Sequence, residues 1–267
     1  MNDDSPGTGQ RRVPAALKQS LAVAHRVLLE LSRNRRLVFF WAWFPAAMLI
    51  LFGWVYASRF GGAGPSFSWT APGILIGAAM FFSCVGGPAA ILVGERERKT
   101  LRRLRITPLS GASYFTGVML AHLVIAGAQA GVTYGITYAV GGSFAGPIGL
   151  GLIVFVLSVV AYVGLGFLFG SLLAGRTEEV NGVVAGVGVP LLVLGGTFFP
   201  TTMLPAGLLP LARLNPVYHM NVTLKALARG VTPDEPLLIS LAFLVAFAAV
   251  AVASSSWAYR RMLRREL

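Results

Sequence analysis

Charged side chains are scarce in this sequence, so the places where they gather are the places to look for chemistry. Glu95 to Ser110 reads ERERKTLRRLRITPLS, with two acids and six bases in its first eleven residues. A short helix is expected from 95 to 106. Glu95 and Glu97 would favour its N-terminal end and Arg102, Arg103 and Arg105 its C-terminal end, matching the helix dipole, and Pro108 would stop it. Leu101 and Leu104 then form a small apolar face one turn apart. Such a segment suits docking into a protein groove, and the rival is a solvated basic loop beside a membrane. A phosphate cradle is not expected. Gly94 to Thr100 ends in Lys-Thr, but Arg98 stands where the second glycine of a P-loop must be.

A second constellation lies in an uncharged stretch. His122, Gln129, Thr133 and Thr137 share one helical face, with Gly127, Gly131 and Gly135 opposite as an expected close-packing ridge. Polar groups at membrane depth need partners or water, so this face either lines a pathway or bonds neighbouring helices. An enzyme would need carboxylates, histidines or a nucleophile clustered at one face. All ten acids lie outside the apolar runs and are scattered, and Cys84, the sole cysteine, permits neither a disulfide nor a Cys-based metal site. No metal site is expected. An ion-coupled carrier or channel would have His122 as its one ionisable candidate inside a span.

The elements that must position these residues are membrane helices. Of 267 residues 55% are hydrophobic and 12% charged, and the mean hydropathy is +0.72. No charge occurs from Ile106 to Gly175 or from Val180 to Ala212, runs long enough to cross a bilayer. Spans are expected at Leu37 to Tyr56, Ala71 to Val93, Ala112 to Val140, Pro147 to Ala174, Val180 to Thr197 and Leu237 to Trp257. Gly141-Gly142-Ser143 marks the turn between the third and fourth. The first run is too long, and starts too late, for a cleaved signal peptide.

Of the 22 Lys and Arg residues, 18 fall before the first span, in 96–105, at 176 and after the last span, against Arg59, Arg213, Lys225 and Arg229 on the other side. That bias places both termini in the cytoplasm. The net charge of +12 sits at span ends rather than on an aromatic-interleaved patch, so nucleic acid is not an expected partner. Residues 1–14 read as a disordered tail. In 15–36, Leu17, Leu21, Ala24, Leu28 and Leu31 form one stripe with Lys18, His25, Arg26, Glu30, Arg33 and Arg36 opposite, an amphipathic helix for the membrane surface or for a soluble partner. Between spans five and six, 198–236 is apolar but broken by Pro200, Pro205, Pro210 and Pro216. Short helices re-entering the membrane are expected there, under protein cover.

The ordered cluster resembles the cytoplasmic signature of ABC-2 type transporter permeases, the family of daunorubicin-type drug exporters. The family's segment is similar to E-R-E-x-G-T-L-E-x-L-x-x-T-P-L-S. Glu95, Arg96, Glu97, Thr100, Leu101, Leu104, Thr107, Pro108, Leu109 and Ser110 match it in place, while Lys99 replaces the glycine and Arg102 the acid. Gly195 to Pro216 resembles the family's G-x-x-F-P…L-P…N-P segment through Phe199, Pro200, Leu204, Pro205, Asn215 and Pro216. The resemblance implies an all-α integral membrane fold of six transmembrane helices in the cell membrane, with no ATPase site of its own. It implies that Glu95 to Pro108 couples to a nucleotide-binding subunit carrying ATP and Mg, and that a second permease copy or a paralogue completes the pathway. Implied substrates are drugs, antibiotics, lipids or lipid-linked glycans.

Overall fold

The computed structural model describes residues 15–100, 109–173, 175–231 and 236–265. The expected tail at 1–14 and the stretch Leu101 to Pro108 lie outside the described residues. Among the described residues every regular element is helical. Helix α1 spans Ala15–Arg33. Among the described residues six helices are long and apolar enough to cross a membrane: α2 Arg35–Val55, α3 Ala63–Glu97, α4 Gly111–Ala139, α5 Ile148–Leu172, α6 Thr177–Leu194 and α9, apolar over Leu237–Met262 and helical over Leu237–Arg265.

The second span, expected from Ala71, begins at Ala63 and is the longest of the six at 35 residues. The hydroxyls in its first turns each find an acceptor: Ser66 donates to the Gly53 carbonyl at 2.7 Å, Ser68 to Gly64 at 3.0 Å and Thr70 to Ser66 at 2.8 Å. Hydroxyls bonded in this way can continue a buried helix. Its middle, Leu75–Gly86, is π-helical, bracketed by Pro72 and Pro88, which carry no N–H to donate.

The core gathers around this π segment. Ile76, Met80, Phe81 and Val85 are fully buried, and the Phe81 ring meets Tyr162 of α5 edge-on at 5.3 Å. Small residues on α5 bring backbones together: a Cβ at Gly166 would lie 2.5 Å from the Val85 carbonyl oxygen. Helix α5 packs against α3 on one side and α9 on the other.

Helix α1 lies along α4. Ser20, Val23, Ala24 and Val27 are buried, and a Cβ at Gly117 would meet Val23 at 2.5 Å. The predicted stripe is therefore divided. Ala24 faces the protein, while Leu17 and Leu21 stay 45% and 52% exposed, apolar surface left for lipid or a partner.

Two expectations need correction. Gly127, Gly131 and Gly135 have open space where a Cβ would project, so they form no packed ridge within this chain. Helix α4 packs instead through its polar face and through Tyr114, Val118, Ala121 and Ala126. Second, Glu95 and Glu97 do not start a separate helix; they occupy the last turn of α3, whose final α-helical stretch runs Gly87–Glu97.

At the opposite end of the bundle, 198–231 forms two 3-10 turns, Thr201–Met203 and Ala206–Leu208, then α7 Leu209–Arg213 and α8 Pro216–Arg229. Residues Pro216 to Ala228 of α8 are all buried, enclosed by α3, α5, α6 and α9. This is the cover that broken backbone at membrane depth would need.

Candidate functional site

The last turn of α3 sends three consecutive side chains to four other helices. Glu95 is 3% exposed; its carboxylate forms an ion pair with Arg26 of α1 and accepts from the Tyr114 hydroxyl of α4 at 2.6 Å. Arg96 donates to the Gly175 carbonyl at 2.9 Å and approaches the Met262 sulfur of α9 at 4.0 Å. Glu97 accepts from the Thr177 backbone N–H at 3.1 Å and from its hydroxyl. Thr177 opens α6, so Glu97 places negative charge where the first N–H groups of a helix are unpaired.

Carboxylates at a helix C-terminus oppose its dipole. Glu95 is held there because Arg26 compensates it. Burial alone would lower the Arg26 guanidinium's pKa, but the Glu95 carboxylate outweighs it and the pKa is raised. Just beyond, Lys99 is left-handed at φ 55°, with its N–H bonded to the Arg96 carbonyl and the Thr100 hydroxyl donating to the Glu95 carbonyl at 3.0 Å. That is the conformation glycine adopts without cost at the end of a helix, which gives a physical reason for the glycine that Lys99 replaces. The arrangement joins α1, α4, α6 and α9 to the start of the stretch that holds Leu101, Leu104, Thr107 and Pro108.

The polar face of α4 is divided. His122 hydrogen-bonds through Nδ1 to the Val118 carbonyl at 2.8 Å, and its ring lies against Gly87 on the floor of a groove of about 600 Å³. Glu30, Asn34, Trp41, Phe82 and Asn181 also line this groove, which runs between α2 and α6. Gln129 accepts from Ser83 at 2.9 Å and donates to the Trp41 carbonyl at 3.2 Å, joining α3 to α2. It borders a smaller cavity of about 160 Å³ together with Thr133 and Pro45. Thr137 donates to the Thr133 carbonyl at 2.9 Å within its own helix.

In the segment after α6, Pro200 and Pro205 each precede a 3-10 turn, with Phe199 partly buried, and Leu204 packs onto Ala212, Tyr218 and Val222. Asn215 accepts from the Val217 N–H at 3.0 Å and donates to the Leu191 carbonyl at 2.6 Å, so it caps α8 and ties it to α6, with Pro216 in the first turn.

The sequence model of the ABC-2 family transporter proteins matches residues 62–257. The chain belongs to this family. It is also 30% identical over 128 residues to the probable multidrug ABC transporter permease YbhR of Escherichia coli K12, and to the same protein of strain O157:H7. The aligned stretch is 48% of this chain and 34% of each relative, so the chain spans about a third of the length of the curated relatives it matches. As an ABC-2 protein with six membrane-crossing helices it is a multi-pass membrane protein. Glu95 to Glu97, Tyr114 and Thr177 all fall inside the family match, while Arg26, their partner on α1, lies before it.

Sequence reading named Glu95 and Glu97 but not the groups they hold. Arg26 stood among the polar residues of α1, and Tyr114 and Thr177 carried no signal because their partners are distant in sequence. Trp69 and Asn221 were likewise not singled out, and Lys225 was counted only for its charge.

Proposed function

We propose that the chain is the permease subunit of an ATP-binding-cassette exporter. It moves an apolar or amphipathic molecule, such as a drug, antibiotic or lipid, outward across the cell membrane. ATP and Mg are bound, and ATP is hydrolysed, on a separate nucleotide-binding subunit. The observation that carries this reading is the Glu95-Arg96-Glu97 junction. A push on the 98–108 segment from a docked subunit would reach α1 and α4 through Glu95, α9 through Arg96 and α6 through Glu97. The asymmetry of Lys and Arg supports a cytoplasmic junction and cytoplasmic termini, where a soluble ATPase could reach Leu101 and Leu104. The multidrug relative supports a drug-like substrate.

A second permease copy or a paralogue fits the same reading. Helices α2 and α6 bury only 17% and 22% of their apolar windows and flank the groove that His122 floors. Two such grooves facing each other would make a path between subunits, with lipid around the remaining helices.

Leu101→Asp combined with Leu104→Asp tests the docking surface. The variant is expected to insert and fold, with substrate-stimulated ATP hydrolysis of the assembled complex reduced to its basal level. Unchanged stimulation would contradict the assignment of 95–108 as the ATPase contact.

A further inference from the structure

At the end of the bundle opposite the Glu95 junction lies a pocket of about 280 Å³ between α3, the turn after α6, and α8. Three cations line it, Arg59, Lys225 and Arg229, and no Asp or Glu among the described residues does. The acids that are described, Glu30, Glu95, Glu97, Glu178 and Glu179, all lie at the other end. Asp234 and Glu235 are outside the described residues.

The cations are set against aromatic rings. The Lys225 ammonium is buried, with its Nζ 4.0 Å from the centre of the Trp69 ring, and it donates to the Gly196 carbonyl. Arg229 lies over Phe60 at 5.8 Å, and Phe60 stacks on Trp69 at 5.0 Å. Ring faces hold a cation without neutralising it. An ammonium has three N–H donors, and one carbonyl with one ring leaves capacity for an anion.

Asn221 supplies an independent observation. It sits one turn before Lys225 on α8 and lines the same pocket. It is 1% exposed, its amide donates to Gly195 and Thr197, and its Oδ1 is buried with no hydrogen-bond partner. A buried acceptor without a donor is costly unless something fills the site. A ligand that brings both negative charge and an O–H would satisfy Lys225, Arg229 and Asn221 together.

We propose that this pocket binds the phosphate-type anionic headgroup of a membrane amphiphile, with Lys225, Arg59 and Arg229 supplying charge and Asn221 Oδ1 accepting from a headgroup hydroxyl. The Phe60 and Trp69 rings in the pocket wall suit the part of such a molecule next to its headgroup. Phosphatidylglycerol has this chemistry, and phosphatidylcholine, with no net charge and no hydroxyl, lacks it. The site follows from its own side chains and holds whatever subunit drives the protein.

The test is native mass spectrometry of the purified full chain after equilibration in nanodiscs of mixed phosphatidylglycerol and phosphatidylcholine, counting retained lipid. The wild type is expected to retain phosphatidylglycerol selectively. Lys225→Met keeps the apolar stem and removes the charge, and Arg59→Gln with Arg229→Gln alters only exposed side chains. Each is expected to lower retention, by about fivefold per cation removed. Arg213→Gln, the same charge change outside the pocket, is expected to leave retention unchanged. Displacement by inorganic phosphate would assign recognition to the anion itself, and retention against phosphate would assign it to the intact lipid; both support the site. Equal retention of the two lipids, equal loss in the Arg213 control, or no retention by the wild type would overturn it.

Discussion

Glu95 is a carboxylate with almost no water, held by one guanidinium and one phenol. Removing a partner from such a group leaves the other groups buried and unpaired, which costs more than the net worth of the contact. Glu95→Ala is expected to destabilise the protein by about 2 kcal/mol, less than for a fully enclosed pair because Arg26 is partly exposed. Tyr114→Phe removes only the hydroxyl and should cost about 1 kcal/mol. Thermal unfolding in detergent reads both, and a larger loss for Tyr114→Phe than for Glu95→Ala would contradict this ranking. Lys99 makes the opposite prediction. Its left-handed backbone costs a side-chain-bearing residue about 1 kcal/mol, so Lys99→Gly should raise stability by somewhat less, since glycine also loosens the unfolded chain. The sequence displayed the charged cluster but not its polarity. Whether a helix ends or begins at Glu95 depends on Arg26, Tyr114 and Thr177, which no local pattern connects to it.

Helices in this protein meet where glycine lets them. Gly73 and Gly77 of α3 face the turn after α6, where a Cβ would lie 2.3 Å from the Thr197 carbonyl oxygen and 2.2 Å from its Cγ2. Gly73→Ala must displace backbone and is expected to cost about 1–3 kcal/mol. Gly127→Ala, in open space, is expected to leave the single chain's stability the same or slightly higher. Unfolding measured side by side distinguishes them, and similar losses at both sites would show that the face of α4 carrying Gly127 is packed after all. Periodicity in α4 separated its polar and glycine faces correctly, but it could not say which face meets protein. In a membrane both faces avoid water, so the usual rule that the polar face is the outer one fails. The spans themselves were legible because runs without charge are long. The start of α3 was not, because Ser66 bonds the Gly53 carbonyl of α2, a partner that only the fold supplies.

Among the described residues the molecule is a bundle with six helices long and apolar enough to cross a membrane, a charged junction at one end and a broken, protein-covered segment at the other. Under the proposed function, the junction's reach into α1, α4, α6 and α9 would turn force at residues 98–108 into movement of helices. That account expects a partner to supply the force, since Gly94 to Thr100 has Arg98 where a P-loop has its second glycine. The most direct test is purification of the full chain from native membranes in mild detergent, with its companions identified and quantified by mass spectrometry. The account predicts a nucleotide-binding subunit in equal amount with this chain. Its absence, under conditions that keep other membrane complexes intact, would contradict ATP-driven export and turn attention to His122 and its groove.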